Sequence, residues 1–361
     1  MGPEDSLQDN AAQTLVLSSQ PPVAQLLNSR DQLPERILCE HYELKRLLGE
    51  GTYGQVYLAK CKQTTKMIAL KQLSMDKVKF KDFKRELNYS YFLSAHPSIV
   101  STYAVAFTAQ SKWVFAQELC TTGDLLDSIN PGRGIGEQAT KTVIRQVVQA
   151  LSFMHSNKLC HRDVKPENLL LFDRETWTVK LMDFGLTCRC ETTVRRSSGN
   201  TPYTPPEVCQ VICNEGFSAH TSTDVWQAAI TLYCLLTGSF PWDEAYEQHD
   251  SGYQTFTLWY KKRSYHCPSR WVKFSEKLLK LFRKMLNPVP DERCSIGSVN
   301  KYLGEVWVRS SDGNEVDYET NDEAKLELQN TLCECGIPTK VTKQYKTARI
   351  AEWVKSHNGQ Y

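Results

Sequence analysis

The segment His161-Arg-Asp-Val-Lys-Pro-Glu-Asn168, followed by Asp183-Phe-Gly185, constrains this chain more than any other feature. It sets an acid, a cation and a carboxamide at fixed offsets and adds a second acid downstream. As chemistry the set suits phosphoryl transfer from ATP. Asp163 can accept the proton of an attacking hydroxyl, and Lys165 can neutralise charge on the moving phosphoryl group. Asn168 and Asp183 can hold Mg2+ through hard oxygen ligands.

A second constellation lies upstream. Gly49-Glu-Gly51-Thr-Tyr-Gly54-Gln-Val56 is a glycine-rich loop, in which missing side chains let the backbone approach phosphates. Alone it is weak, because dinucleotide folds use a similar string before a helix. Here an apolar strand follows, with Val56, Tyr57 and Leu58, which favours a hairpin lying over phosphates rather than an oxidoreductase. Ile68-Ala-Leu-Lys71 ends another strand, where an ammonium needs a counter-charge. Glu86, inside a helix expected over Lys79–Leu93, is the proposed partner together with ATP phosphates. Phe80, Phe83, Leu87 and Tyr91 mark that helix's apolar face.

The order of these strings resembles the eukaryotic protein kinase family over about residues 42–308. The resemblance implies an α+β, two-lobed fold, with a small β-rich lobe at about 42–120 and a larger, mainly helical lobe at about 121–308. It implies an active serine/threonine kinase using ATP and Mg2+ on protein substrates, since Lys165 in Arg-Asp-x-Lys-Pro-Glu-Asn resembles the serine/threonine branch. The alternative, a pseudokinase scaffold, usually lacks the equivalents of Lys71, Asp163 or Asp183, all present here. Asn200–Val208 and Asp224-Val-Trp-Gln look similar to the SH3-binding-domain kinases. Yet the one Pro-x-x-Pro, Pro202–Pro205, lies in the activation segment, so an SH3 partner is not supported.

Further roles follow from the resemblance. Backbone groups of Glu118 and Cys120 would contact adenine, with Gln117 at the back pocket. Asp124 would reach the ribose, or else favour a helix N-terminus. His161 would pack on Phe184, Arg162 would take an activation-segment phosphate, Glu207 would pair with Arg293, and Asp224 would brace the catalytic loop. Thr192, Thr193, Ser197 and Ser198 could accept that phosphate. Glu167, Asp124 and Asp127 could accept basic residues upstream of the target hydroxyl, or serve as a loop acid, a ribose ligand and a solvated acid. The sequence departs from the family at Asn200, where either it replaces a hydroxyl or Thr201 supplies one. It departs again at Ser90, where an apolar side chain usually packs on Phe184.

The remaining composition narrows the partners. A net charge of +2, from 43 basic and 41 acidic residues, argues against a broad nucleic-acid face and a polybasic membrane anchor. Residues 1–20 lack a signal-peptide pattern, and no apolar run reaches bilayer length. The 13 cysteines are irregularly spaced and read as reduced thiols of a cytoplasmic protein. Cys188-Arg-Cys190 and Cys333-Glu-Cys335 lack partners at zinc-finger spacing and read as ordinary thiols.

Along the chain, residues 1–41 read as a flexible arm with a short helix near Val23–Leu27. Strands are expected at Gln55–Ala59, Lys66–Lys71, Tyr103–Thr108 and Trp113–Leu119. Helices are expected at Thr140–Met154, Val225–Leu236 and Lys277–Met285. Residues 309–361 read as a tail of unknown role, with possible helices at Glu323–Leu332 and Ala348–Lys355.

Overall fold

The computed structural model describes residues 32–196, 201–211, 215–262 and 266–309. The expected helices near Val23, Glu323 and Ala348 lie outside those residues, as do Ser197–Asn200 and Cys333–Cys335.

A short helix α1 (Leu38–His41) leads into five strands. These are β1 (Tyr42–Glu50), β2 (Gly54–Cys61), β3 (Met67–Ser74), β4 (Thr102–Ala109) and β5 (Lys112–Gln117). They form one antiparallel sheet in the order β1-β2-β3-β5-β4. Each strand follows its β-branched and aromatic residues, and Ile68, Ala69 and Leu70 make β3 buried on both faces. The arm is shorter than its sequence suggests. The Pro34 carbonyl accepts from Thr108 N–H, and Arg36 N–H returns a bond to the Thr108 carbonyl, so this stretch runs along β4.

Helix α2 (Phe80–Leu93) packs on the sheet with Phe83 and Leu87 against Leu73 and Phe115. Its entry is pinned by Trp113, whose indole N–H donates to the Val78 carbonyl at 3.0 Å while its ring meets Phe80 and Phe83. The same buried face carries Glu86 and Ser90, because residues four apart share one side of a helix.

The larger lobe is built on α3 (Glu137–Ser156), which contacts α5 (Thr221–Thr237). Between them run β6 (Leu159–Cys160), β7 (Leu169–Asp173), β8 (Thr178–Leu181), β9 (Cys188–Arg189), β10 (Thr193–Arg195), α4 (Pro206–Cys209) and β11 (Gly216–Ser218). Helices α6 (Ser251–Lys261) and α7 (Glu276–Met285) complete it. Every residue of α5 from Ser222 to Thr237 is buried. Its end requires glycine. Gly238 has φ +61, and a Cβ there would meet the Asn130 carbonyl oxygen at 2.0 Å. Among the described residues no helix is long and apolar enough to cross a membrane.

One ion pair ties the lobe together. The Arg293 guanidinium, fully buried, takes both carboxylate oxygens of Glu207 at 2.7 and 2.5 Å and lies 4.8 Å over the Trp226 ring. Removing one partner of such a pair strands the other charge in low dielectric. Glu207→Ala is therefore expected to cost about 3 kcal/mol of stability, read as a lower urea midpoint. Arg293→Lys should fail to restore it, because an ammonium cannot make the two-pronged contact.

Candidate active site

The catalytic loop is held from below by α5. The buried Asp224 carboxylate accepts the main-chain N–H groups of His161 at 2.9 Å and Arg162 at 2.7 Å, and meets His155 Nε2 at 2.8 Å. Burial alone would raise the Asp224 carboxyl, but the bond from His155 and the charges and donors around it hold it below its ordinary value. A depressed acid contributes stability that is complete above its unfolded value, here 3.8, and lost as pH falls through the folded value. Asp224→Asn puts an amide donor where two N–H groups need acceptors. We expect it to shift acid unfolding and to lower turnover together, by circular dichroism and initial rates.

Gln227 completes this support and was not singled out from the sequence. Its Oε1 accepts from Val164 N–H at 3.0 Å, and its Nε2 donates to the Arg162 carbonyl at 3.1 Å. The available signal was a glutamine inside an otherwise apolar helix, since a buried amide must find partners.

Within the loop, Asp163 meets Lys165 at 2.8 Å, and Asn168 Nδ2 donates to both the Asp163 carbonyl and carboxylate at 2.7 Å. Burial works against the Lys165 ammonium, yet Asp163 and Glu167 hold its pKa above the usual lysine value. His161 is a fixed tautomer by its contacts. Nδ1 accepts from Asp163 N–H at 3.2 Å, so Nε2 donates to the Met182 carbonyl at 3.1 Å. Its ring meets the fully buried Phe184 edge-on at 5.4 Å between centroids. Ser90 is buried, and Phe184 is fully buried as well.

The two halves of the site meet at Lys71. Its ammonium lies 2.5 Å from Glu86 and 3.2 Å from Asp183. Burial disfavours the charge, but Asp183 and Glu86 raise the Lys71 pKa above the ordinary lysine value. Asp183 takes φ +66 and Arg162 φ +71, left-handed backbone that costs non-glycine residues about 1–3 kcal/mol each.

The glycines divide by role. An added Cβ at Gly49 would meet nothing within 4 Å, whereas at Gly54 it would strike the Gln72 carbonyl oxygen at 2.0 Å. Gly54 is therefore needed by the β2–β3 approach itself, a packing requirement the sequence reading did not separate from phosphate access. Gly51 N–H donates to the Gly54 carbonyl at 2.8 Å, tightening the turn, and Val56 sits on β2 opposite Lys71.

At the connection between lobes, Glu118 N–H donates to the Ser101 carbonyl, while its carboxylate takes Ser101 N–H at 2.6 Å and Lys180 at 2.7 Å on both oxygens. Cys120 is buried, with Sγ 3.2 Å from the Leu171 carbonyl. Gln117 donates to the Thr102 hydroxyl at 3.0 Å. Asp124 is buried and makes no side-chain cap to the turn that follows it. Glu167, beside Lys165, accepts from the Tyr203 hydroxyl at 3.5 Å, and burial raises its pKa.

Arg162 donates to two main-chain carbonyls, Leu186 at 2.9 Å and Arg195 at 3.1 Å. Among the described residues no carboxylate pairs with it. The segment beyond is held by backbone pairing of β10 with β11. Thr192 and Thr193 are exposed there.

Two protein oxygens, from Asn168 and Asp183, do not close a cation shell by themselves, and hard cations of this size complete theirs with phosphate and water. Asn168 spends its amide N–H on Asp163, which leaves its carbonyl oxygen as the ligand atom. The donor set thus fits a hard divalent cation bound together with phosphate.

The protein kinase domain family matches residues 42–307. The chain is 44% identical to serine/threonine-protein kinase SBK1 of Danio rerio, covering 74% of this chain and 70% of the relative. Against SBK1 of Mus musculus it is again 44% identical, covering 73% of this chain and 63% of the relative. It is 32% identical to serine/threonine-protein kinase meng-po of Drosophila melanogaster, covering 90% and 76%. A two-lobed fold, a lysine bridging helix and metal loop, and these relatives converge: the chain belongs to the protein kinase family, in its SH3-binding kinase (SBK) group.

Proposed function

We propose that this protein transfers the γ-phosphoryl group of ATP, with Mg2+, to serine and threonine hydroxyls of protein substrates. The observation that carries the reading is Lys71 joined at once to Glu86 and Asp183, above an intact Asp163–Lys165–Asn168 cluster. Magnesium bound with the nucleotide would supply charge neutralisation between phosphates. Lys71 positions phosphates, with Glu86 fixing its direction. Asp163 orients the attacking hydroxyl and takes its proton, and Lys165 faces the charge that develops. Asn168 and Asp183 offer oxygens to the cation. Gly49, Gly51, Gly54 and Val56 form the lid over the nucleotide, and the main chain at Glu118 and Cys120 receives adenine, with Asp124 at the ribose.

The pseudokinase alternative has no observation in its favour, since each reacting group stands in contact with its supporting partners. The proposed partners are proteins, not nucleic acid or membrane, in keeping with the balanced charge. An SH3 ligand is disfavoured because Tyr203 and Pro205 of the Pro-x-x-Pro are buried. A cytoplasmic location is proposed, supported by free buried thiols at Cys160, Cys188, Cys209 and Cys234. The test is transfer of labelled γ-phosphate to a generic basic protein, followed by phosphoamino-acid analysis. Label on serine or threonine supports the reading. Nucleotide binding without transfer would favour the scaffold, and label confined to tyrosine would overturn the specificity.

A further inference from the structure

The two-residue ladder of β6 and β9 brings sulfur to the base of the catalytic loop. Cys160 faces Cys188 in its register, and Cys190 N–H continues the pairing to the Lys158 carbonyl at 2.8 Å. Strand alternation puts Cys160, Cys188 and Cys190 on one face. There they cluster with Ala219 and Val194. All three thiols are free. Burial raises the pKa of the Cys188 thiol, and the Arg162 guanidinium charge beside it works against that rise. Cys160 instead has Cys190 as its sulfur neighbour, diagonal across the ladder, with the Sγ atoms 3.5 Å apart.

We propose that Cys160 and Cys190 are a reversible redox site, which a peroxide closes into a disulfide that latches the activation segment to the catalytic loop. Cys190 is half-buried and open to a small oxidant, whereas Cys160 is fully buried. The Cys190 thiolate sulfur attacks one peroxide oxygen, the O–O bond breaks, and the other oxygen leaves as hydroxide and becomes water with the thiol's proton. Cys190 is then a sulfenic acid. The Cys160 sulfur attacks that sulfur, the S–S bond forms, and the S–O bond breaks. The departing hydroxide takes the Cys160 proton as a second water. Two thiols lose two electrons in all, and the peroxide gains them. Cys160 is fully buried and so shielded from oxidant in solution, which leaves the first step to Cys190.

Closing the contact asks the sulfurs to move from 3.5 Å to about 2.05 Å, with a small shift of the short ladder that carries them. The two cysteines are 30 positions apart, and that interval contains Asp163, Lys165, Asn168 and Asp183. The bond would close a covalent loop around the stretch of chain that carries these groups. Its chemistry stands independently of whether the protein turns over ATP.

The full chain is treated with hydrogen peroxide, alkylated, digested without reductant and mapped by mass spectrometry. The expected product joins Cys160 to Cys190, is two hydrogens lighter than the two peptides together, and disappears with dithiothreitol. Because Cys160 is fully buried, the substitution is made at the half-buried partner. Oxidised Cys190→Ser should lack the product. Trypsin should cut after Arg195 and Arg196 severalfold more slowly in oxidised wild type than in oxidised Cys190→Ser. Recovery of Cys190 as unmodified thiol or sulfinic acid, or a bond from Cys160 to Cys188, would overturn the site. Equal trypsin rates would overturn the latch.

Discussion

Lys71→Met is expected to lower turnover about 10³-fold, the loss typical when one preorganised electrostatic contact to the transition state is removed. The side chain nearly keeps its volume, so the change is one of charge. Glu86 and Asp183 would then face each other without the cation that lies 2.5 Å from one and 3.2 Å from the other. Stability should fall as well, by about 3 kcal/mol, because a buried carboxylate loses its counter-ion. Single-turnover rates and thermal melting, measured together, separate the two effects. A folded variant with wild-type transfer would remove Lys71 from the mechanism.

Asp163→Asn and Asp183→Asn should fail in different ways. Asp183→Asn weakens an oxygen ligand to a hard cation, and we expect at least a tenfold loss of Mg-ATP affinity, about 1.4 kcal/mol or more. Asp163→Asn keeps the side chain's shape but cannot take a proton, and its single amide oxygen can serve only one of Lys165 and Asn168, which both donate to the carboxylate. Its nucleotide affinity should hold while turnover drops about 10²–10⁴-fold. Calorimetric titration against rapid-quench rates distinguishes them. Equal loss of affinity in both variants would merge the two roles.

Much of this arrangement was legible because chemistry-bearing residues come at fixed offsets. The pairing of Lys71 with Glu86 follows from one strand, one helix and one buried face, all marked by apolar spacing. The strands β2–β5 and helices α2, α3, α5 and α7 follow their apolar spacing, and their ends moved by only a few residues. Helix α6 was missed. Its Tyr253, Phe256 and Trp259 have modest helix propensity, and it starts from an Asp250 side chain capping Tyr253 N–H, a local signal without strong spacing behind it. Strands β6 and β9–β11 are two or three residues long, too short to show a period, and exist because tertiary neighbours supply the ladder. The left-handed turns at Arg162 and Asp183 are invisible in composition, since neither is glycine. Only the main-chain grip of Asp224 and Gln227 shows what sustains the first of them. Phe184 is fully buried, in a cluster drawn from segments far apart in the sequence.

Arg162 binds main-chain oxygen at Leu186 and Arg195. Every residue has such an oxygen, and no modifying enzyme installs or strips it. A switch written in phosphate needs a writer and an eraser; this contact is present from the moment the chain folds. A segment anchored in this way starts from an ordered state, so any covalent mark placed on it adds to a hold that the fold has already set.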